Sequence, residues 1–384
     1  MKKILVINTK YQITGGEDSN IVDELKFLQK HYDVEYLEYD NSKNIDIFDL
    51  FSFITNSNMK SNKKLKQHLR EFKPDLVYVH NTWFKASLGV FNILQKEGIQ
   101  TIIKLHNLRY YCAKSYLISK HVKPGKPCSA CNLDRKKLQV LNKYFNDSLL
   151  KSLILIRYTK KFIKIIKRKQ FTILTITDFH QQFLLNLGIK EEKINLYSNP
   201  IEIRTIKKAN NTPKNDYILY AGRLSEEKGV GELLDSWKKT DTKGLKLKII
   251  GTGPLEDRLI NSFQHSDIIF TGYLNNKAVL EEIKNSRAVV TATKMYEGQP
   301  RLLCEASSLG VLSIYPSFGG MDEFFPPDYN FSFKQYDYEN LIEKLSAIIN
   351  TESIEEEGER VLNFISAKLN ESKLIKDFQK AIEG

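Results

Sequence analysis

Short apolar runs alternate along the chain with longer stretches in which apolar residues recur every three or four positions. The short runs are rich in Ile, Val and Leu, so they predict buried strands, and the longer stretches predict amphipathic helices. This alternation is typical of βα units built around parallel sheets. In the first half the predicted strands are 4–8, 34–37, 75–80, 101–106, 171–177 and 194–198. In the second half they are 217–221, 245–250, 268–271, 288–291 and 312–315.

Each half therefore has about the number of strands found in one doubly wound domain. A polar stretch at 201–216, rich in Lys, Asn and Pro, follows Asn199-Pro200 and predicts a linker between the halves. We expect an α/β protein with two Rossmann-like parallel-sheet domains, 1–200 and 201–365. The segment 361–382 has helical spacing with no strand after it, so 366–384 is predicted to pack back on the first domain as a C-terminal helix.

Composition supports packed domains and also separates the two halves by charge. Of the 384 residues, 41% are hydrophobic, which excludes intrinsic disorder, collagen and coiled coil as descriptions of the whole chain. The net charge is +12, yet residues 1–200 hold 34 basic and 18 acidic side chains and the remainder hold 24 and 28. A basic excess confined to the first half indicates a polyanionic partner, either nucleic acid or an anionic membrane face.

The segment 151–169 is the most concentrated basic stretch, because it contains no acidic residue among its many apolar ones. Such a segment can lie on the cytoplasmic face of an anionic membrane and bring the protein to a lipid-linked substrate. The alternative is a helix whose apolar face covers the first sheet and whose charges are solvated. The basic residues are Lys151, Arg157, Lys160, Lys161, Lys164, Lys167, Arg168 and Lys169.

Cysteine usage and hydropathy predict a reducing, cytoplasmic location. The chain has four cysteines and no predicted secretory leader, and it has no apolar stretch long enough to span a bilayer. Cys112, Cys128 and Cys131, with His106 and His121 nearby, are candidate ligands of a structural zinc ion, although free thiols are the alternative.

The fourth cysteine, Cys304, lies in an apolar helical pattern, where core packing is the expected role.

The strongest chemical signal is the segment 296–306, which follows a predicted strand and leads into a helix. It places Glu297 in a Gly/Pro loop and Glu305 one turn into the helix, so both carboxylates can reach one ligand at the helix N-terminus. The free amides of that terminus suit a phosphate or a sugar hydroxyl. Two glutamates at this spacing also occur as ordinary solvated acids.

A second signal lies at 221–229, where a predicted strand ends and a helix begins. Arg223 and Lys228 bracket this turn at the carboxyl end of the strand, where open α/β sheets bind ligands, and together they can neutralise a diphosphate. The alternative is a helix start capped by Ser225, with a solvated Lys228.

Glycine-containing loops follow several other strands, and they let backbone approach an anion closely. None of them is a P-loop, and Gly-x-Gly-x-x-Gly is absent, which argues against NAD binding. The loops are Gly15-Gly16, Gly251-Thr252-Gly253, Gly272-Tyr273-Leu274 and Gly319-Gly320.

In order and spacing, these motifs resemble the retaining glycosyltransferases of family 4, which have the GT-B fold. The resemblance covers nearly the whole chain and is most specific over 217–325. It implies two domains that face each other across a cleft, with a C-terminal helix that crosses back. The motifs that carry it are Gly15-Gly16, His106, Gly222-Arg223 with Lys228, Gly251-Thr252-Gly253, Gly272-Tyr273-Leu274 and Glu297-x7-Glu305.

The resemblance also implies a role for each motif. Glu297 and His106 are implied to act on the donor sugar, Arg223 and Lys228 to hold its diphosphate, and Glu305 to bind the ribose. Further implied contacts are Gly15 and Gly16 to the diphosphate, Gly251, Tyr273 and Leu274 to the nucleoside, and Gly298, Gln299, Pro300 and Arg301 to the sugar. No catalytic metal or other cofactor is expected, since two cations and a helix N-terminus can stabilise the leaving diphosphate.

The implied reaction is transfer of a sugar, UDP-linked before GDP-linked, to a glycan or lipid-linked acceptor of surface polysaccharide synthesis. Gln299 stands where Phe is frequent in the family, and Asn107 where an acid is frequent, so the donor sugar is left open. Two alternatives are a degenerate GT-B protein that binds polyanions and an epimerase or phosphorylase of the same fold. Nucleic-acid binding is not expected, because no nucleic-acid motif is present.

Overall fold

The computed structural model describes residues 1–10, 16–41, 47–108, 148–201 and 216–383, which form two compact units. The first unit holds the described residues as far as Pro200 together with Glu371–Glu383, and the second holds Ile201 and 216–370. Within the described ranges, the chain passes from one unit to the other after Pro200 and after Asn370.

The first unit is built on a parallel sheet of six strands in the order β2-β1-β3-β4-β5-β6. The run Ile4-Leu5-Val6-Ile7 in β1 is wholly buried, because helices cover both faces of a doubly wound sheet. The strands are β1 (Lys3–Lys10), β2 (Asp33–Asp40), β3 (Leu76–Val79), β4 (Gln100–Leu105), β5 (Phe171–Thr175) and β6 (Ile194–Leu196). Its helices before the second unit are α1 (Gly16–Gln29), α2 (Ile47–Thr55), α3 (Met59–Phe72), α4 (Gly89–Glu97), α5 (Leu149–Ile166) and α6 (Asp178–Asn186).

The second unit repeats this plan with a parallel sheet in the order β12-β11-β10-β7-β8-β9. Its strands are β7 (Tyr217–Ala221), β8 (Lys246–Ile250), β9 (Ile268–Gly272), β10 (Ala288–Val290), β11 (Leu312–Ser317) and β12 (Ser332–Lys334). Its helices are α7 (Val230–Lys239), α8 (Glu256–Ser262), α9 (Asn276–Asn285), α10 (Arg301–Ser308), α11 (Tyr338–Asn350) and α12 (Ile354–Lys368). The predicted pair of doubly wound parallel-sheet domains is confirmed.

The last helix, α13 (Glu371–Glu383), packs in the core of the first unit. The Phe378 ring lies against the rings of Tyr78 and Tyr197, at centroid distances of 5.4 and 5.3 Å. Gln100 Nε2 donates a hydrogen bond of 2.9 Å to the carbonyl of Ile382. These contacts give the final helix an apolar anchor and a polar one within this unit.

Two details differ from the sequence prediction. The segment 361–382 is not one helix, because α12 ends at Lys368 and α13 begins at Glu371, so the C-terminal helix starts later than residue 366. The edge strand β12 was not predicted, since Ser-Phe-Lys has too few β-forming residues, and its extended shape comes from pairing with β11. Among the described residues, no helix is both long and apolar enough to cross a membrane.

Candidate functional site

The order of strands in the second sheet marks one place for a ligand. β7 and β10 are neighbours, and the chain leaves β7 towards β8 on one side and later returns to β10 on the other. Open α/β sheets bind ligands at the carboxyl ends of strands beside such a reversal, because the loops there diverge and leave a crevice. The loops that follow these two strands carry Arg223 with Lys228 and Glu297 respectively.

At the carboxyl ends of β7, β8 and β10, backbone segments pack directly against each other. This packing requires glycine, because a Cβ would overlap the neighbouring backbone. A Cβ on Gly229 would lie 1.9 Å from the carbonyl oxygen of Ala292, just after β10, and Gly229 has a φ of +67°. A Cβ on Gly251 would lie 2.0 Å from the carbonyl oxygen of Gly222. The backbones of the loops after β7, β8 and β10 are therefore in direct contact. This contact fixes the position of the Lys228 backbone, from which its side chain extends.

Lys228 and Glu297 meet at the centre of this site. Lys228 Nζ donates to Glu297 Oε1 at 2.6 Å, and their side chains are only 30% and 24% exposed. Thr293 Oγ1 lies 3.5 Å from the same carboxylate oxygen. The structure thus joins two residues that are 69 positions apart and that the sequence placed in separate motifs.

The loop after β11 contacts the backbone of Glu297. Gly320 N donates to the Glu297 carbonyl at 3.0 Å, and a Cβ on Gly319 would lie 2.6 Å from that carbonyl oxygen. The ring of Phe318 packs on Tyr296 at a centroid distance of 4.4 Å. The Gly319-Gly320 pair therefore positions the glutamate through its backbone.

The helix α10 begins directly after this loop, with Pro300 as its N-cap. Arg301 Nε donates to Glu305 Oε1 at 2.8 Å on the first turn, and Gln299 is buried beside them. The first backbone amides of a helix have no acceptor within it, so they point outward with partial positive charge. These amides lie at the end of the helix that follows Glu297, and Arg301 at that end holds the Glu305 carboxylate.

The remaining residues predicted for the donor lie at the edge of this region. Arg223 is exposed, and Tyr220 OH donates to its carbonyl at 3.0 Å, which fixes the backbone of the turn. Gly251 stands at the end of β8 beside Gly222. The Tyr273 ring is 75% exposed after β9, and Leu274 is half-buried. A flat ring at a strand end offers a stacking surface to a nucleobase.

In the first unit, His106 follows β4 and pairs with a second histidine. His80 Nδ1 and His106 Nε2 are 2.8 Å apart, and the two rings stack at 5.1 Å between centroids. Burial, together with the neighbouring His80 and the Lys104 cation, lowers the pKa of His106 well below its ordinary value. Burial and Lys104 act on His80 in the same direction, so both imidazoles are neutral at physiological pH.

Beneath this pair lies a fully buried ion pair. Lys104 Nζ donates to Glu24 Oε2 at 2.8 Å, and Tyr78 OH donates to Glu24 Oε1 at 2.6 Å. Lys104 also lies over the Tyr197 ring, 4.3 Å from its centroid. The pair ties α1, which begins at Gly16, to β4, the strand that ends directly before His106.

Part of the predicted site lies outside the described residues. Gly15 and the zinc candidates Cys112, Cys128, Cys131 and His121 are among these positions, whereas Gly16 is the first residue of α1. Cys304 is buried in α10, and burial raises the pKa of its thiol, as expected for a packing role. Over the described ranges, no three His, Cys, Asp or Glu side chains come together as a set of metal ligands.

The basic segment 151–169 has two different parts in the structure. It coincides with α5, whose later apolar residues face the core, as Phe162, Ile165 and Ile166 show. Leu149, Leu150 and Leu153, in the first turns, are instead exposed. The covering role foreseen as the alternative therefore fits the C-terminal part of this helix.

Sequence reasoning did not identify the residues that support the site. Thr293, His80 and the Glu24–Lys104 pair carry no motif, and Gly319 was noted only as part of a loop. Lys104 did give one signal, since a lysine within the apolar run Thr-Ile-Ile-Lys-Leu of a central strand requires a buried partner. The identity of that partner depends on how α1 packs, which no local pattern encodes.

Comparison with known proteins bears on both units. Residues 202–363 match the family model of glycosyl transferases group 1. A capsular polysaccharide biosynthesis glycosyltransferase from Staphylococcus aureus, CapM, is 30% identical over 176 residues, which cover 44% of this chain and 45% of CapM. An uncharacterized glycosyltransferase from Methanocaldococcus jannaschii is 25% identical over 242 residues, or 59% and 62% of the two chains. The chain thus spans less than half of CapM and less than two thirds of the archaeal protein.

Solved structures share the fold over the full length. Anabaena HepE, crystallised with UDP and glucose, superposes with a TM-score of 0.69 at 13% identity and full coverage of both chains. Sucrose-phosphate synthase from Thermosynechococcus elongatus superposes with a TM-score of 0.72 at 12% identity over 99% and 98% of the chains. The chain therefore has the GT-B type of fold, and its residues 202–363 are similar to the glycosyl transferases group 1.

Proposed function

We propose that this protein is a retaining glycosyltransferase that moves a hexosyl or N-acetylhexosaminyl group from a nucleotide-diphosphate donor, UDP before GDP, to a glycan or lipid-linked acceptor. The observation that carries the proposal is the Lys228–Glu297 contact of 2.6 Å at the switch point of the second sheet. A cation for the phosphates and a carboxylate for sugar hydroxyls stand there side by side. CapM and an amylovoran biosynthesis glycosyltransferase, both similar to part of this chain, support a role in surface polysaccharide synthesis.

In this proposal, Lys228 and Arg223 neutralise the diphosphate as it leaves. The glycosidic bond breaks towards the β-phosphate oxygen, so negative charge grows where the two cations and the amides at the start of α10 are placed to meet it. Glu305 accepts hydrogen bonds from the ribose hydroxyls, and Glu297 holds the sugar together with the backbone amides of Gly298, Gln299 and Arg301. Tyr273 and Leu274 border the nucleobase.

Donor binding must rearrange the contacts that the structure shows. Lys228 is paired with Glu297, and Glu305 with Arg301, so each charged group has a partner of opposite charge. A diphosphate offers Lys228 a second anionic partner, and sugar hydroxyls offer Glu297 new donors. In this proposal, the cations of the protein neutralise the diphosphate. We therefore propose that transfer proceeds without a catalytic metal ion or other cofactor.

The first unit is proposed to bind the acceptor, with His106, Gly15 and Gly16 contributing to the donor. Its basic excess matches an acceptor that carries its own phosphates, and peripheral contact with the inner leaflet would bring the protein to a lipid-linked glycan. The neutral state of His106 suits a hydrogen bond to a sugar hydroxyl rather than ion pairing with phosphate.

The test is a transfer assay with UDP- and GDP-sugars, a polyprenyl-diphosphate-linked acceptor, and EDTA in half of the reactions. We expect one UDP-sugar to be consumed, a product whose anomeric configuration matches the donor by proton NMR, and equal rates with and without EDTA. Inverted configuration would refute the retaining mechanism, and a rate lost with EDTA and restored by Mg²⁺ would refute metal independence. A requirement for free phosphate would indicate a phosphorylase instead.

A further inference from the structure

Exposed apolar side chains of the first unit are concentrated in three helices. Ten large hydrophobic residues are exposed in the described part of the chain, and six of them lie in α2, at the start of α3 or in the first turns of α5. Met59 is 86% exposed, Leu150 67% and Phe51 64%. The six are Phe51, Ile54, Met59, Leu149, Leu150 and Leu153.

These helices are joined in the fold, so the six residues share one region of the unit. α2 packs against α5. Asn58, the N-cap of α3, donates from Nδ2 to Asp49 Oδ1 of α2 at 3.0 Å, and that bond is buried. Exposed apolar side chains that are grouped in one region of a surface, rather than scattered singly, indicate an interaction site.

A row of cations runs along α3 directly after the exposed Met59. Lys63, Lys66 and Arg70 are spaced by three and four residues, so they lie on one face of the helix, and all three are exposed. With Met59 they line an open pocket of about 590 Å³. We call Lys63, Lys66 and Arg70 the α3 basic row.

The α3 basic row has no anionic partner among the described residues. The one acid that lines the same pocket, Glu71, accepts a hydrogen bond of 2.9 Å from Gln67 instead. Lys151 and Arg157 on α5 add two further exposed cations, and α5 contains no acid. The surface therefore combines unpaired cations with exposed apolar side chains. It is complementary to a bilayer, which has anionic headgroups outside and acyl chains within.

We propose that α2, the α3 basic row and the first turns of α5 form the surface that docks on an anionic phospholipid bilayer. The row binds lipid phosphates in its pocket, while Phe51, Met59 and Leu150 enter the boundary between headgroups and acyl chains. A nucleic acid would pair with the cations through its phosphates, but it has no hydrocarbon region in which the six exposed apolar side chains could be buried. The inference rests on the membrane contact proposed above, and it moves that contact away from the C-terminal part of α5.

The experiment measures partition of the full-length protein to vesicles of phosphatidylcholine with and without phosphatidylglycerol. The test variant is Lys63→Gln/Lys66→Gln/Arg70→Gln. The matched control is Lys160→Gln/Lys164→Gln/Lys167→Gln, which removes three exposed cations from the last two turns of α5 and its C-cap, where no large apolar side chain is exposed. Both variants change the net charge equally, so a difference between them reports position rather than total charge.

We expect wild type to bind only the anionic vesicles, the α3 variant to bind them about ten- to a hundredfold more weakly, and the α5 control to bind nearly as wild type does. Met59→Gln/Leu150→Gln should keep a weak association that salt abolishes. Thermal unfolding of each variant, with and without UDP, verifies that fold and donor site are intact, so this result is independent of sugar transfer.

Three outcomes would overturn the proposal. If the α3 variant and the α5 control lost the same amount of vesicle binding, the protein would contact membranes through its total charge and not through this surface. Wild type that ignores anionic vesicles would remove the membrane contact altogether, whatever its transfer activity. Tighter binding to duplex DNA than to the anionic vesicles would assign the cations to a nucleic-acid partner. Hydrogen exchange over 51–59 and 149–153 should slow further when anionic vesicles are added, beyond the protection that the helices already give, and should not change with neutral vesicles.

Discussion

In the first unit, Glu24 and Lys104 form an ion pair whose side chains are 1% and 0% exposed, whereas Lys228 and Glu297 in the second unit pair at 24% to 30% exposure. Both contacts join one carboxylate to one ammonium group within 3 Å. The first has no route to a ligand, so its role is to fix α1 against β4. The second lies at strand ends beside a topological reversal, where a ligand can replace either partner. The surroundings of an ion pair, and not its distance, separate structural charges from functional ones.

The largest effect is expected from breaking the buried pair. Lys104→Met leaves the Glu24 carboxylate buried without its cation, which should lower the free energy of unfolding of the first unit by about 3–5 kcal/mol. Urea unfolding followed by fluorescence of Trp83, which lies in this unit, measures it. The double variant Glu24→Gln/Lys104→Met keeps an acceptor for Tyr78 without a buried charge, so it should be more stable than Lys104→Met alone. Equal stability would show that the charge is not the cause.

The same type of change in the second unit should affect catalysis and leave stability almost unaltered. Lys228→Ala removes a cation from the leaving diphosphate, and we expect kcat to fall by about 10²- to 10³-fold. The matched control is Lys239→Ala, whose exposed pair with Glu339 at 3.5 Å contributes little. Turnover of Lys228→Ala close to that of the control would remove Lys228 from the site.

Acid should act first on the first unit, because His80 and His180 are buried there. Burial lowers the pKa of His180 to about 4, so below pH 6.5 the unfolded chain binds a proton that the folded chain does not. The linkage makes the free energy of unfolding fall as pH decreases, by about 1.6 kcal/mol between pH 6.5 and pH 5 for this residue. Urea titrations at both pH values should show a smaller decrease in His180→Gln. An unchanged pH dependence would contradict the assigned burial.

The smallest expected effect compares two glycines in the second unit that both have positive φ. Gly229→Ala brings a Cβ against the Ala292 backbone, whereas Gly244→Ala meets nothing within 4 Å. Backbone strain is common to both, so Gly229→Ala should be less stable by a further 1 kcal/mol or more, roughly the cost of overpacking. Gly229→Ala should also weaken UDP binding, because residue 229 directly follows Lys228. Isothermal titration calorimetry with UDP measures this effect. Equal unfolding midpoints would mean that the loop yields easily.

The sequence predicts the fold well because the parallel strands are buried on both faces and appear as apolar runs. It fails at β12, whose residues Ser332–Lys334 are extended only through pairing with β11, and at the break between α12 and α13. In the site, motif spacing indicated Lys228 and Glu297 separately. Their contact depends on strand order, on Gly229 and on Gly319, which are properties of the folded backbone.

We propose that the second unit holds a nucleotide diphosphate between Lys228 and the start of α10. The most direct test is the thermal unfolding midpoint with UDP, GDP and their sugar conjugates, with and without EDTA, for wild type and Lys228→Ala. A bound ligand stabilises by mass action, by about 2.7 kcal/mol at a hundred times its Kd. We predict a rise with UDP compounds that EDTA does not alter and that Lys228→Ala lacks. No rise with any nucleotide in folded protein, or the same rise in Lys228→Ala, would contradict the claim.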